Sequence, residues 1–142
     1  MRIMRIWISR LLIGIVTAWN LQAAFVFIQN PAAFVNAFEL SGVPGEAAVR
    51  GVGVLFLMWN VPYIAALLSP LRYRLALTLA VVMQSLGLVG ESYILSTLPA
   101  GHANLHTSIS RFIAFDGIGL LLLVLAFVIN AGHYLTTPDV KA

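Results

Sequence analysis

Six side chains in this sequence can do chemistry inside otherwise apolar runs: the carboxylates Glu91 and Asp116, the cations Arg50 and Arg111, and the amides Gln84 and Asn60. Each apolar run has one end at which the chain is expected to leave the membrane on the outer side. Counted from there, Arg50 and Asp116 lie about one helical turn in and Glu91 about two, so their depths agree to roughly 5 Å. A lone charge in hydrocarbon costs several kcal/mol, so such groups turn inward and find partners. Arg111 and Asp116 are five residues apart, about 140° around a helix, which makes them poor partners for each other. Glu91 with Arg50 or Arg111 is the expected cross-helix pairing. Two readings follow. The six groups line a polar cavity that binds a ligand or relays protons, or they form ion pairs that fix helix register. Glu91, the deepest, is the residue on which the first reading turns.

A second constellation is His102 and His106, spaced i, i+4, which on a helix point the same way and can hold a metal. A third ligand would have to be Glu91, Glu46 or Asp116; the alternative is a pair of solvated loop histidines. No glycine-rich phosphate loop follows a strand, and no nucleophile motif is present. The sequence has no cysteine, which excludes disulfides, covalent c-type haem attachment, thiolate metal sites and thiol redox chemistry. No catalytic set emerges, and no cofactor is required, although a quinone or a lipid would suit the cavity reading.

The elements that must position these groups are membrane spans. Of 142 residues, 61% are hydrophobic and 9% are charged, with a mean hydropathy of +0.96; a soluble domain carries about a quarter charged residues. A span needs about 20 apolar residues. Four fit, at about 11–28, 47–68, 75–98 and 112–132, in a single membrane domain over 1–142. The expected fold is all-α, a four-helix transmembrane bundle with a short interfacial helix between spans 1 and 2.

Arg2, Arg5 and Arg10 precede the first span in the manner of a secretory signal, with Gln22-Ala23-Ala24 resembling a cleavage site, but the run is long for a signal and is expected to be retained. Gly14, Thr17, Asn20 and Ala24 make a small, weakly polar stripe suited to close helix approach. Asn30-Pro31 ends the span, and Phe34, Val35, Phe38 and Leu40 give the segment Ala32 to Leu40 an apolar side. Ser41 to Gly45 reads as a turn, after which Glu46 and Arg50 can pair at i, i+4. Gly51 and Gly53 suit close packing, and Pro62 predicts a kink near Trp59. Ser69 to Arg74 is a tight basic turn. Ala80, Gln84, Gly87 and Glu91 share one face of span 3. His102 to Ser110 reads as a loop, with Thr107 or Ser108 capping span 4. Trp7, Tyr63, Tyr73, Tyr93 and Tyr134 suit interfacial anchoring, while Trp19 and Trp59 lie deeper.

Arg2, Arg5, Arg10, Arg72, Arg74 and Lys141 fall on one side of such a bundle, and only Arg50 and Arg111 on the other. Cationic loops stay in the cytoplasm, so both termini are expected there, in a multi-pass protein of the plasma or inner membrane. The first span, the amphipathic Pro31-to-Leu40 segment, Arg50-Gly51-Val52-Gly53, the short basic turn and Arg111-Phe112 together resemble the small DoxX-like four-helix membrane proteins. That resemblance implies the same bundle and, for some members, a role as membrane subunit of a quinone-linked oxidoreductase. Minimal loops and the missing catalytic set favour a non-enzymatic accessory subunit of a larger membrane assembly. The alternative is a binding or transport module with an outward polar cavity for a lipophilic or quinone-like ligand. The expected partners are the lipid bilayer and either a membrane protein or further copies of the chain; nucleic acid is not among them.

Overall fold

The computed structural model describes residues 2–134, with side chains described for 3–131. Four helices follow one another: α1 (Arg2–Gln29), α2 (Gly42–Leu68), α3 (Arg74–Thr97) and α4 (Ala103–Tyr134). Among the described residues there is no strand. α1 packs on α2 and α4, and α3 packs on the same two, while the backbones of the diagonal pairs α1/α3 and α2/α4 stay apart. The bundle is therefore a ring in which each helix reverses the direction of the one before it. All four are long and apolar enough to cross a membrane. Their exteriors agree with that: Leu55, Met58, Val61, Leu75, Leu86, Val89, Leu121 and Val128 are exposed, whereas Ser9, Thr17, Asn20, Asn60, Gln84 and Asn130 are buried. In water this distribution would be unfavourable on both counts; in lipid it is the expected one. The chain is a small multi-pass membrane protein.

The helices start earlier than the apolar runs do. α2 begins at Gly42, so the expected turn over Ser41 to Gly45 is mostly first helical turn. Pro44 fits there because the amides of a first turn have no intrahelical acceptor to lose. Pro62 lies inside α2, which runs unbroken to Leu68. α4 begins at Ala103, not near Phe112. Thr107 and Ser108 do not cap it; the Thr107 hydroxyl donates back to the Ala103 carbonyl at 2.9 Å. The cap comes from elsewhere. Glu39 Oε1 accepts the Leu105 amide at 3.3 Å, and Glu39 Oε2 lies 2.6 Å from His102 Nδ1. A carboxylate at the amino end of a helix satisfies an orphan donor and meets the positive end of the dipole. The His102 hydrogen bond holds the exposed Glu39 carboxyl below the usual carboxylate range.

Glu39 reaches that position from the segment between α1 and α2, which is two 3₁₀ turns, Pro31–Ala33 and Val35–Phe38. Asn30-Pro31 breaks α1, and Glu39 itself, at φ 53°, takes a left-handed conformation that stops the second turn. Phe34 and Phe38 fold down onto Phe27, edge to face, at 4.8 and 6.0 Å between ring centroids. Phe112 and Phe56 complete the aromatic cluster, stacked at 6.3 Å. At the far end of the bundle Arg10 donates to the Leu68 carbonyl, closing the last turn of α2. Of the basic residues expected at that end, the side chain of Arg2 and all of Lys141 lie outside the described residues, as does the side chain of Tyr134.

Glycine sets the closest approach of α1 to α2. A Cβ on Gly53 would stand 2.8 Å from Ile28 Cγ1 and 2.9 Å from the Ala24 carbonyl oxygen. Gly51, expected to share this role, faces outward with nothing near it; two residues is about 200° of helix, so the two cannot face one neighbour. The dense core of Ile13, Val16, Tyr63, Ala66, Leu77, Ala80, Leu123 and Ala126 fills the half of the bundle near the α2–α3 turn. The other half, toward the 3₁₀ turns, holds the cavity described next.

Candidate functional site

Asn20 of α1, Val52, Leu55, Phe56 and Trp59 of α2, Gln84, Gly87 and Glu91 of α3, and Asp116 of α4 enclose a cavity of about 200 Å³. All four helices contribute, and α2 and α3 form most of its wall. Leu55, 58% exposed, joins this lining to the outer surface of α2.

Each polar group is there for a local reason. Ala80, Gln84, Gly87 and Glu91 do share one face of α3, and its inner part is buried. Gly87 leaves room for Asp116, whose Oδ2 occupies the place a Cβ would take. Gly119, one turn after Asp116, is packed against Gln84; a Cβ there would stand 2.7 Å from Nε2. These two glycines bring α3 and α4 close enough for Gln84 Nε2 to donate to Asp116 Oδ1 at 2.8 Å. The chain continues on the other side. Tyr63 Oη donates to Gln84 Oε1 at 2.5 Å, and Trp59 Nε1 donates to Tyr63 Oη at 3.3 Å. A carboxylate can only accept, so Asp116 dictates which way the Gln84 amide points, and Gln84 in turn makes Tyr63 a donor to it. Three helices are tied by one hydrogen-bonded row that ends on a carboxylate in the cavity wall.

Glu91 stands apart from that row. Glu91 Oε2 is buried without a hydrogen bond. The Asn20 side chain, 2% exposed, lines the same cavity. Buried polar groups are normally satisfied, so an unsatisfied carboxylate oxygen on a residue of this lining calls for an explanation.

The structure therefore brings together Glu91, Asp116 and Gln84, and it separates the rest of the expected polar layer. Arg50 points away from the cavity and pairs with Glu46 at 3.9 Å, the i, i+4 partner that spacing suggests. Arg111 lies in a neighbouring groove with Phe34, Phe56, Phe112, Phe115 and Ala23. Neither cation reaches Glu91: among the described residues the salt bridges are Glu46–Arg50 and Glu39–His102. The expected cross-helix ion pairs fail because α2 and α4 start earlier than the apolar runs, which places Asp116 more than three turns inside its helix. Asn60 is buried and donates to the Phe56 carbonyl at 2.7 Å, away from the cavity lining. His102 precedes α4 and is engaged by Glu39, while His106 lies within the helix; no three of His, Cys, Asp and Glu come together among the described residues.

Sequence reasoning treated Asn20 as part of a packing stripe and Tyr63 as an anchor. Asn20 falls in register with Thr17 and Ala24, and that was the available signal, because a polar group on a buried stripe needs a partner. Tyr63 is fully buried, one turn after Trp59, and its hydroxyl is the middle of the row. A further buried pair, Asn130 Nδ2 donating to Ser9 Oγ at 2.9 Å, joins α4 to α1 in the other half of the bundle and lies outside the cavity lining. Comparison with protein-family models, with curated proteins and with solved structures finds no match for this chain.

Proposed function

We propose that this membrane protein is a binding module, and that the cavity between α2 and α3 receives a lipophilic ligand with a polar end. The observation that supports it is the pair of carboxylates, Glu91 and Asp116, opening on a space whose lining contains no cation. Register-fixing ion pairs would have used these groups up. Instead Glu91 keeps a buried oxygen unpartnered, while Val52, Leu55, Phe56 and Trp59 offer apolar wall. Apolar lining with a few converging polar groups is the usual form of a small-molecule site. A lining residue as exposed as Leu55 on the apolar exterior suits a ligand that arrives dissolved in lipid. With both termini in the cytoplasm, as the cationic loops suggest, the cavity lies in the outer half of the membrane.

The test is gentle purification into lipid nanodiscs followed by native mass spectrometry. A small mass should stay with the wild-type protein and be lost from Glu91→Gln and Asp116→Asn, both folded by circular dichroism and size-exclusion chromatography. Wild-type protein without any retained mass, or variants that keep it, would sink this function. A stoichiometric protein in its place is what the accessory-subunit reading expects.

A further inference from the structure

We infer that the ligand of this cavity is an organic ammonium ion, a protonated primary or secondary amine on an apolar body. The inference rests on the binding function proposed above and assigns the ligand's chemistry. Charge is the first argument. Two carboxylates line about 200 Å³ of space walled by Val52, Leu55, Phe56 and Trp59, and no arginine, lysine or histidine lines it with them. Arg50 is held by Glu46, and Arg111 lies in the neighbouring groove, so neither compensates them. Uncompensated charge at this depth is costly, and a cation supplied by the ligand removes the cost.

Hydrogen bonding is the second, independent argument. The buried polar atom of the lining left without a partner is Glu91 Oε2, which needs a donor, and the Asn20 amide of the same lining offers an oxygen that can accept. An ammonium group is all donors and answers both. A quinone presents acceptors to a lining whose carboxylates also only accept, which fits less well. A quaternary ammonium has the charge but no N–H to give. A hydrated inorganic ion gains nothing from the apolar wall. That wall, with the aromatic side chains of Trp59 and Phe56, suits an alkyl or aryl body, and an indole is the best aromatic neighbour for a cation. The volume suits an arylalkylamine.

Equilibrium dialysis with radiolabelled probes tests this on the full chain in phosphatidylcholine nanodiscs, against empty discs. The probes are 2-phenylethylammonium and its neutral isostere propylbenzene. The expected result is saturable, stoichiometric binding of the ammonium and none of propylbenzene. Glu91→Gln should weaken binding by about ten- to a hundredfold, the scale of one hydrogen bond to a charged group. Asp116→Asn, which keeps an acceptor for Gln84, should weaken it by a similar factor. Glu46→Gln, an acid outside the cavity, should leave it unchanged. Saturable propylbenzene binding without ammonium binding would overturn the ammonium assignment and leave the ligand cavity standing. Absence of saturable binding by either probe would count against both. Equal ammonium affinity in Glu91→Gln, or a loss in Glu46→Gln as large as in Glu91→Gln, would overturn the assignment by showing that the cavity carboxylate is not what the amine reads.

Discussion

Tyr63 and Glu39 show how much one side chain can organise here. The Tyr63 hydroxyl is fully buried and joins α2 to α3 by donating its one proton to Gln84 Oε1, with the Ala80 carbonyl oxygen also nearby at 3.2 Å, while it accepts from Trp59. Tyr63→Phe removes that link with little change of shape and leaves Gln84 Oε1 without its donor. We expect a loss of about 1–3 kcal/mol, the range for stranding a buried polar partner, read as a lower unfolding midpoint in detergent. Glu39 acts outside the spans. Its folded state holds the carboxyl below the usual range, chiefly through His102, so its stabilising contribution is present above the ordinary glutamate range. That contribution is lost as pH falls through the lowered folded value. Amide exchange at Leu105 and its neighbours, corrected for the intrinsic pH dependence, should accelerate as the solution is acidified across that window. Glu39→Gln should remove this acid-dependent component; a wild-type-like profile in that variant would assign the effect to another group.

Between elements, the contact that matters most is α1 against α2, and it passes through a single missing side chain. Gly53→Ala must push against the Ala24 carbonyl and Ile28, and overpacking of this kind costs about 1–3 kcal/mol. Gly51→Ala meets open space, so it should be neutral or stabilising by up to about 1 kcal/mol from helix propensity. Thermal unfolding of the two variants side by side checks both, and equal effects would contradict the assigned faces. The sequence could not separate these glycines, because both lie in one Arg-Gly-Val-Gly stretch and the distinction depends on which neighbour α2 meets. The buried face of α3 was legible from its period alone, and so was the Glu46–Arg50 pair. The true start of α4 was not. Polar residues from His102 to Ser110 look like a loop, and the carboxylate that caps the helix comes from Glu39, far away in the chain. The resulting shift in depth undid the expected pairing of Glu91 with Arg50 or Arg111, while Glu91, Gln84 and Asp116 line one cavity.

For the molecule as a whole, the bundle has a dense half and a half with a cavity, at opposite ends of the helices, and we propose from the cationic loops that the cavity half faces outward. The α3–α4 turn belongs to the cavity side and the α2–α3 turn to the dense side. Because the sequence has no cysteine, single cysteines report cleanly. Ala100→Cys in intact cells should react with an impermeant maleimide, and Tyr73→Cys should react only after the membrane is opened. The reverse pattern would invert the orientation and put the cavity in the cytoplasmic half. The four spans were legible because hydropathy and length are properties of a segment. The cavity was not, since it is a property of how four segments meet.

The row from Trp59 through Tyr63 and Gln84 to Asp116 has an optical consequence. Its first member is a fluorophore whose indole N–H is the donor that starts the row, and its last is the carboxylate in the cavity wall. Neutralising or engaging Asp116 changes the pull transmitted along three aligned hydrogen bonds to that indole, which also lines the cavity itself. With Trp7 and Trp19 replaced by phenylalanine, Trp59 becomes a label-free lamp for the site. Its emission maximum should shift when the cavity fills, and the part of the shift carried through the bonds should vanish in Tyr63→Phe.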